Sequence, residues 1–141
     1  MLIAKRALQR QLGSEASEWA TDQLMQGRDT PHLRQLAGTT GIENRFELDE
    51  LFDRVLHELD LSLPTRNQAV LIYAQELGHD YLDGKVMLDQ LLEETCDLCI
   101  STDYMRELSP FYNIRGIRDD LTRENFEELV RAEIMTLLAN G

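Results

Sequence analysis

The chain has 141 residues, with 14 Lys and Arg against 26 Asp and Glu, a formal charge of −12 at pH 7. That length predicts one domain, residues 1–141, able to bury roughly two-thirds of its unfolded surface without staples. The charge repels nucleic-acid backbones and anionic membranes, and no apolar run approaches the roughly 20 residues of a membrane span.

An ordinary apolar fraction with regularly spaced Leu residues predicts a folded chain and not a disordered one. Cys96 and Cys99 are too few and too close for a disulfide framework, which suggests a reducing, cytoplasmic setting. Leu2, Ile3 and Ala4 are too short a run for a signal peptide. The basic start, with Lys5, Arg6 and Arg10, has a transit-peptide look, but it reads better as a first helix. Acid is concentrated in the middle. Residues 43–60 carry seven acidic and two basic groups and residues 76–107 carry nine and two, whereas residues 1–42 are near neutral.

Residues 2–12 predict a short helix with Gly13 as its C′ residue. Ser14 then offers an N-cap, with Glu15 and Glu18 in the next turn. Ala16, Trp19, Ala20 and Leu24 form a buried seam, and Gly27 stops the helix. Thr30 caps a third segment in which Pro31 stands where a missing N–H costs nothing. Leu33, Leu36 and Ala37 face inward before a loop over residues 38–41.

The clearest stripe follows. Over residues 46–59, Leu48, Leu51, Phe52, Val55, Leu56 and Leu59 recur with helical period, and Glu47, Asp49, Glu50, Asp53 and Arg54 cover the opposite side. Pro64 opens a helical hairpin over residues 64–100. Its first arm carries Val70, Tyr73, Ala74, Leu77 and Tyr81, with Gly84 as terminus. Gly78 inside that arm costs about 1 kcal/mol relative to Ala unless close packing needs it. Leu88, Leu91, Leu92, Thr95, Leu98 and Cys99 make the second arm amphipathic. Residues 101–117 are the least regular, with a helical turn near Met105 to Leu108 and a break at Ser109 and Pro110. Thr122 caps the last helix, whose stripe is Phe126, Leu129, Val130, Ile134, Leu137 and Leu138. No segment alternates with period two over a strand's length.

The fold expected is therefore all-α, with about six helices in a compact bundle or a short irregular HEAT-like stack. The stack is suggested by an echo: Trp19, Ala20, Gly27, Leu33 and Leu36 parallel Tyr73, Ala74, Gly84, Leu88 and Leu91.

The motifs for chemistry are incomplete. Glu76 and His79 have the i, i+3 spacing of di-iron carboxylate bundles, but such a site needs two such pairs and two more inward Glu residues. Cys96 and Cys99 lack the second pair of ligands that a structural zinc takes, and they sit late in a helix, unlike a redox pair opening one. No nucleophile elbow or phosphate-cradling glycine loop exists. Adjacent acids such as Asp119 and Asp120 point apart on a helix. No catalytic residue, metal ligand or cofactor is therefore assigned.

What remains is surface. Glu47, Asp49, Glu50 and Asp53, with Asp89, Glu93, Glu94 and Asp97, would form one acidic face if their helices packed side by side. Tyr81, Tyr104, Phe111 and Tyr112 would supply desolvated anchors, Tyr104 and Tyr112 foremost.

Trp19, Ala20, Leu24, Gly27, Asp29, Thr30, Leu33, Leu36, Ala37 and Gly38 together resemble a pattern in small uncharacterised helical proteins of bacteria. In size, acidity and helical content the chain also resembles immunity proteins that neutralise secreted toxins, a likeness of fold that carries no residue roles. The resemblance implies an all-helical bacterial protein without catalytic activity. The expectation is a binding module or adaptor, monomeric or homodimeric, that docks a protein partner with a basic surface. Two other readings stand beside it: a metal-dependent helical enzyme using Glu76, His79, Asp53 and His57, and a structural homo-oligomer subunit built on the apolar stripes at both chain ends.

Overall fold

The computed structural model describes residues 1–40 and 44–140; Gly41, in the loop expected after the third helix, lies outside the described residues. The described chain is helical throughout and contains no strand. In order it forms α1 (Leu2–Ala7), α2 (Glu15–Met25), α3 (Pro31–Ala37), α4 (Arg45–Glu58), α5 (Arg66–Leu82), α6 (Leu88–Ser101), α7 (Ser109–Gly116), a single 3-10 turn (Arg118–Asp120) and α8 (Arg123–Ala139). The count of eight exceeds the expected six or so partly through α7. Ser109 and Pro110 open that helix where a break was expected, because a proline in the first turn forfeits only an N–H that has no helical partner.

Chain contacts fall into two compact units, Met1–Ala69 and Val70–Gly141, dividing within α5. In the first unit, Leu2 and Leu12, Ala16 and Ala20 of α2, Leu33 and Leu36 of α3, and Leu48, Phe52, Val55 and Leu56 of α4 share one core. Burying a side chain such as Phe52 contributes about 1.5–3 kcal/mol. Trp19 of α2 packs edge-on against the Phe52 ring at 5.2 Å. Ser17 on α2 donates to the Ala37 carbonyl that closes α3, at 3.0 Å.

In the second unit the buried faces largely follow the expected stripes, with Tyr81 and Leu138 only half-buried. Leu88, Leu91, Leu92, Thr95, Cys96, Leu98 and Cys99 of α6 are buried, as are Phe111 and Ile114 of α7 and Phe126, Val130, Ile134 and Leu137 of α8. Leu129 instead faces outward. Gly78 has the packing reason the sequence left open. A Cβ there would lie 3.1 Å from Ile134 Cγ2, so α5 and α8 approach closely at this point.

Caps behave unevenly. Thr30 and Thr122 cap α3 and α8 as expected, accepting from Leu33 N and Asn125 N. Ser14 does not cap α2: its backbone is already helical and its side chain makes no cap bond. The start of α5 is a reciprocal capping box. Thr65 N donates to Gln68 Oε1 at 3.0 Å, and Gln68 N donates to Thr65 Oγ1 at 3.3 Å.

Five helices end in the same way, with the residue after the cap in the left-handed region and paired 6→1 and 5→2 hydrogen bonds behind it. Gly27 and Gly84 serve α2 and α5, but Gln9, Asp60 and Asp103 serve α1, α4 and α6 at φ of 58°, 56° and 55°. The first helix therefore stops at Ala7, not near residue 12. Arg10 N reaches back to the Lys5 carbonyl at 2.9 Å, and Gly13 ends no helix.

Candidate protein-binding face

Of the two acidic helices, α4 belongs to the first unit and α6 to the second. The second unit holds 15 acidic and six basic side chains against 11 and eight in the first, and so carries −9 of the total −12.

On α4 the acid is largely committed to partners within the chain. Arg6 of α1 donates from Nε and Nη2 to the two oxygens of Asp53, both at 2.9 Å. Asp49, expected on the solvated side, is turned inward: its side chain is only 14% exposed. Its Oδ2 lies 3.9 Å from both Arg6 and Arg45, while its Oδ1 is buried with no hydrogen-bond partner. Arg45 in turn donates to the Gln9 carbonyl. Glu50 accepts from Arg54 one turn on, at 2.7 Å. Glu58, at the end of the helix, accepts from His32 N and meets His32 Nδ1 at 2.7 Å. That bond holds the Glu58 carboxyl below its usual range, with Thr30 adding to the effect. Of the four α4 candidates, Glu47 alone is exposed without an ion pair among the described residues.

The concave features of the first unit flank this helix. A shallow cleft of about 520 Å³ is lined by Arg6, Gln9, Arg45, Phe46, Asp49 and Asp53 among others, and Phe46 is 80% exposed at its edge. A second, of about 380 Å³, is lined by His32, Asp53, His57 and Glu58 with their α4 neighbours. Asp53 and His57 therefore share a cleft, whereas Glu76 and His79 belong to the second unit. Among the described residues, no group of three or more His, Cys, Asp and Glu side chains is placed to hold a metal ion.

On α6 the acid is differently placed. Asp89, Glu93 and Asp97 are exposed at i, i+4 and i+8, so they lie along one stripe at about 6 Å intervals. Glu94 is half-buried beside that stripe. Asp89 pairs with Arg118 at 2.7 Å. Glu93 and Asp97 have no ion pair among the described residues. Ile100, 52% exposed, continues the outer face one turn beyond Asp97. Sequence reasoning missed it, although its helical position next to the acidic stripe was readable.

The stripe leads into a corner of two tyrosines. Asp103 and Tyr104 follow α6 with both backbones left-handed, at φ 55° and 61°. A ring at φ 61° is strained, since Cβ crowds the carbonyl in that region. Local bonds hold it there. Tyr104 N donates to the Cys99 carbonyl at 2.8 Å, and Ser109 Oγ donates to the Tyr104 carbonyl at 3.0 Å. The Tyr104 ring meets Tyr112 of α7 edge to face at 5.3 Å, and the two residues remain 50% and 41% exposed. Tyr112 pushes the Tyr104 hydroxyl above its ordinary pKa. Of the other aromatics expected as anchors, Phe111 is buried and Tyr81 lies under Arg131.

Cys96 and Cys99 are free thiols in the interior of this unit. Burial pushes the Cys99 thiol up, away from the nucleophilic thiolate.

No protein family model, curated protein or solved structure matches this chain. Among the described residues, no helix is long and apolar enough to cross a membrane.

Proposed function

We propose that this protein is a non-catalytic binding module whose second unit docks a basic surface of a protein partner through α6 and the Tyr104–Tyr112 corner. The observation that carries this reading is the unequal commitment of acid between the two units. On α4, Arg6 and Arg54 answer the carboxylates of Asp53 and Glu50, and Asp49 is turned inward. On α6, Glu93 and Asp97 stand outward together with exposed Ile100, and the exposed Tyr104 and Tyr112 follow in the chain. Such a field steers a cationic partner and raises its rate of encounter, while aromatic side chains supply the desolvated centre on which affinity depends.

The concrete form of the reading is a bacterial, cytoplasmic immunity-type protein or adaptor that covers a basic site on its partner. Steering makes association salt-sensitive. Partner recovered from the native host on immobilised protein is expected to fall severalfold between about 50 and 300 mM salt. Recovery independent of salt would count against an electrostatic docking face.

A further inference from the structure

The second unit shows within itself how this surface accommodates an arginine. Arg118 pairs with Asp89 at 2.7 Å, and its guanidinium carbon also lies over the Phe126 ring at 5.2 Å from the centroid. One cation is thus shared between a carboxylate at the start of α6 and an aromatic ring. Arg131 also lies over an aromatic ring, that of Tyr81, at 5.7 Å.

At the other end of α6 come further carboxylates, and two exposed tyrosines follow in the chain. Asp97 stands one turn before the helix ends, and Asp103 follows the Thr102 cap. Tyr104 and Tyr112 meet at an interplanar angle of 82°, forming an open corner of two rings. The last turn of α6 contains no basic residue, although the negative end of the helix dipole favours one there. Among the described residues, no cation lies over either ring.

We propose that this corner receives an arginine side chain of the protein partner, its guanidinium plane against a tyrosine ring and its charge facing Asp97 and Asp103. The proposal rests on the reading of α6 as a docking face and names the residue type that face selects. Arginine fits better than lysine because a guanidinium is flat and weakly hydrated. It stacks on a ring and donates to a carboxylate in the same pose, whereas an ammonium holds its water more tightly.

Two blocked pentapeptides, Gly-Arg-Gly-Arg-Gly and Gly-Lys-Gly-Lys-Gly, titrated into the intact chain provide the test. Ring resonances of Tyr104 and Tyr112 and amide resonances of Glu93 and Asp97 report the site. The arginine peptide is expected to shift both rings and to bind about three- to tenfold more tightly than the lysine peptide. The variant Tyr104→Leu with Tyr112→Leu is expected to remove that preference, leaving weak, salt-sensitive binding of both peptides. Equal affinities with shifts confined to Glu93 and Asp97 would overturn the arginine site while leaving the acidic docking face intact. Shifts from neither peptide at either the rings or the stripe would overturn both.

Discussion

Arg6 grips Asp53 through two parallel N–H donors across 47 residues of sequence, joining α1 to α4. The same guanidinium stands 3.9 Å from Asp49, whose inner oxygen has no hydrogen bond. Asp53 is half-exposed, so Asp53→Asn is expected to cost the first unit only about 0.5–1 kcal/mol. Arg6→Met also strips Asp49 of a countercharge and is expected to cost about 1–3 kcal/mol. Urea unfolding followed by Trp19 fluorescence measures both, because Trp19 is the sole tryptophan and belongs to this unit.

Acid is expected to weaken the first unit through Glu58 and Asp29. The His32 bond depresses the Glu58 carboxyl, and the bidentate Arg34 contact depresses that of Asp29. A carboxylate whose folded pKa lies below its unfolded value contributes stability above the unfolded pKa and loses it as pH falls through the folded one. The urea midpoint of the Trp19 transition is therefore expected to drop between roughly pH 5 and pH 3. In the double variant Glu58→Gln with Asp29→Asn, the drop is expected to be smaller and the midpoint at pH 7 lower.

A side chain at Gly78 would crowd Ile134, so α5 and α8 pass close together here. Gly78→Ala gains about 1 kcal/mol of helix propensity but places a methyl 3.1 Å from Ile134 Cγ2, so the net change is expected to stay within about 1 kcal/mol. Gly78→Val forces branched atoms into the same gap and is expected to cost about 1–3 kcal/mol. Hydrogen exchange of the α5 and α8 amides checks the pair.

Tyr104 sets local stability against binding. Tyr104→Ala removes the ring and keeps the unfavourable backbone at φ 61°, whereas Tyr104→Gly relieves it. The glycine variant is expected to be more stable than the alanine variant by about 1 kcal/mol, and both are expected to lose docking. Thermal melts of the two variants give the difference.

Local chemistry was the legible part of this fold. The caps at Thr30 and Thr122, the stop at Gly27 and the stripe of α4 are written within a few residues of where they act. The capping box at Thr65 and Gln68 is an equally local signal, standing beside the more conspicuous Pro64. Helix ends at Gln9, Asp60 and Asp103 lacked the glycine that marks Gly27 and Gly84, so the end of α1 was placed five residues late. Asp49 departs from the solvated side expected of it, and Asp53, though exposed as expected, is taken up by Arg6. Their surroundings depend on α1 meeting α4, and charge periodicity on one helix carries no information about a partner 47 residues away. The exposure of Glu93, Asp97, Tyr104 and Tyr112 is a local matter, since among the described residues no ion pair from elsewhere reaches Glu93 or Asp97.

The docking face is tested most directly by reversing charge on one helix at a time and comparing partner capture from the native host. Glu93→Lys with Asp97→Lys is expected to reduce capture at physiological salt by tenfold or more, since like charges would then meet a basic partner. Glu47→Lys with Glu50→Lys on α4, carrying the same change in net charge, is expected to leave capture within about twofold. Equal losses from both variants would show that only net charge matters, and undiminished capture by the α6 variant would contradict the assignment of that face.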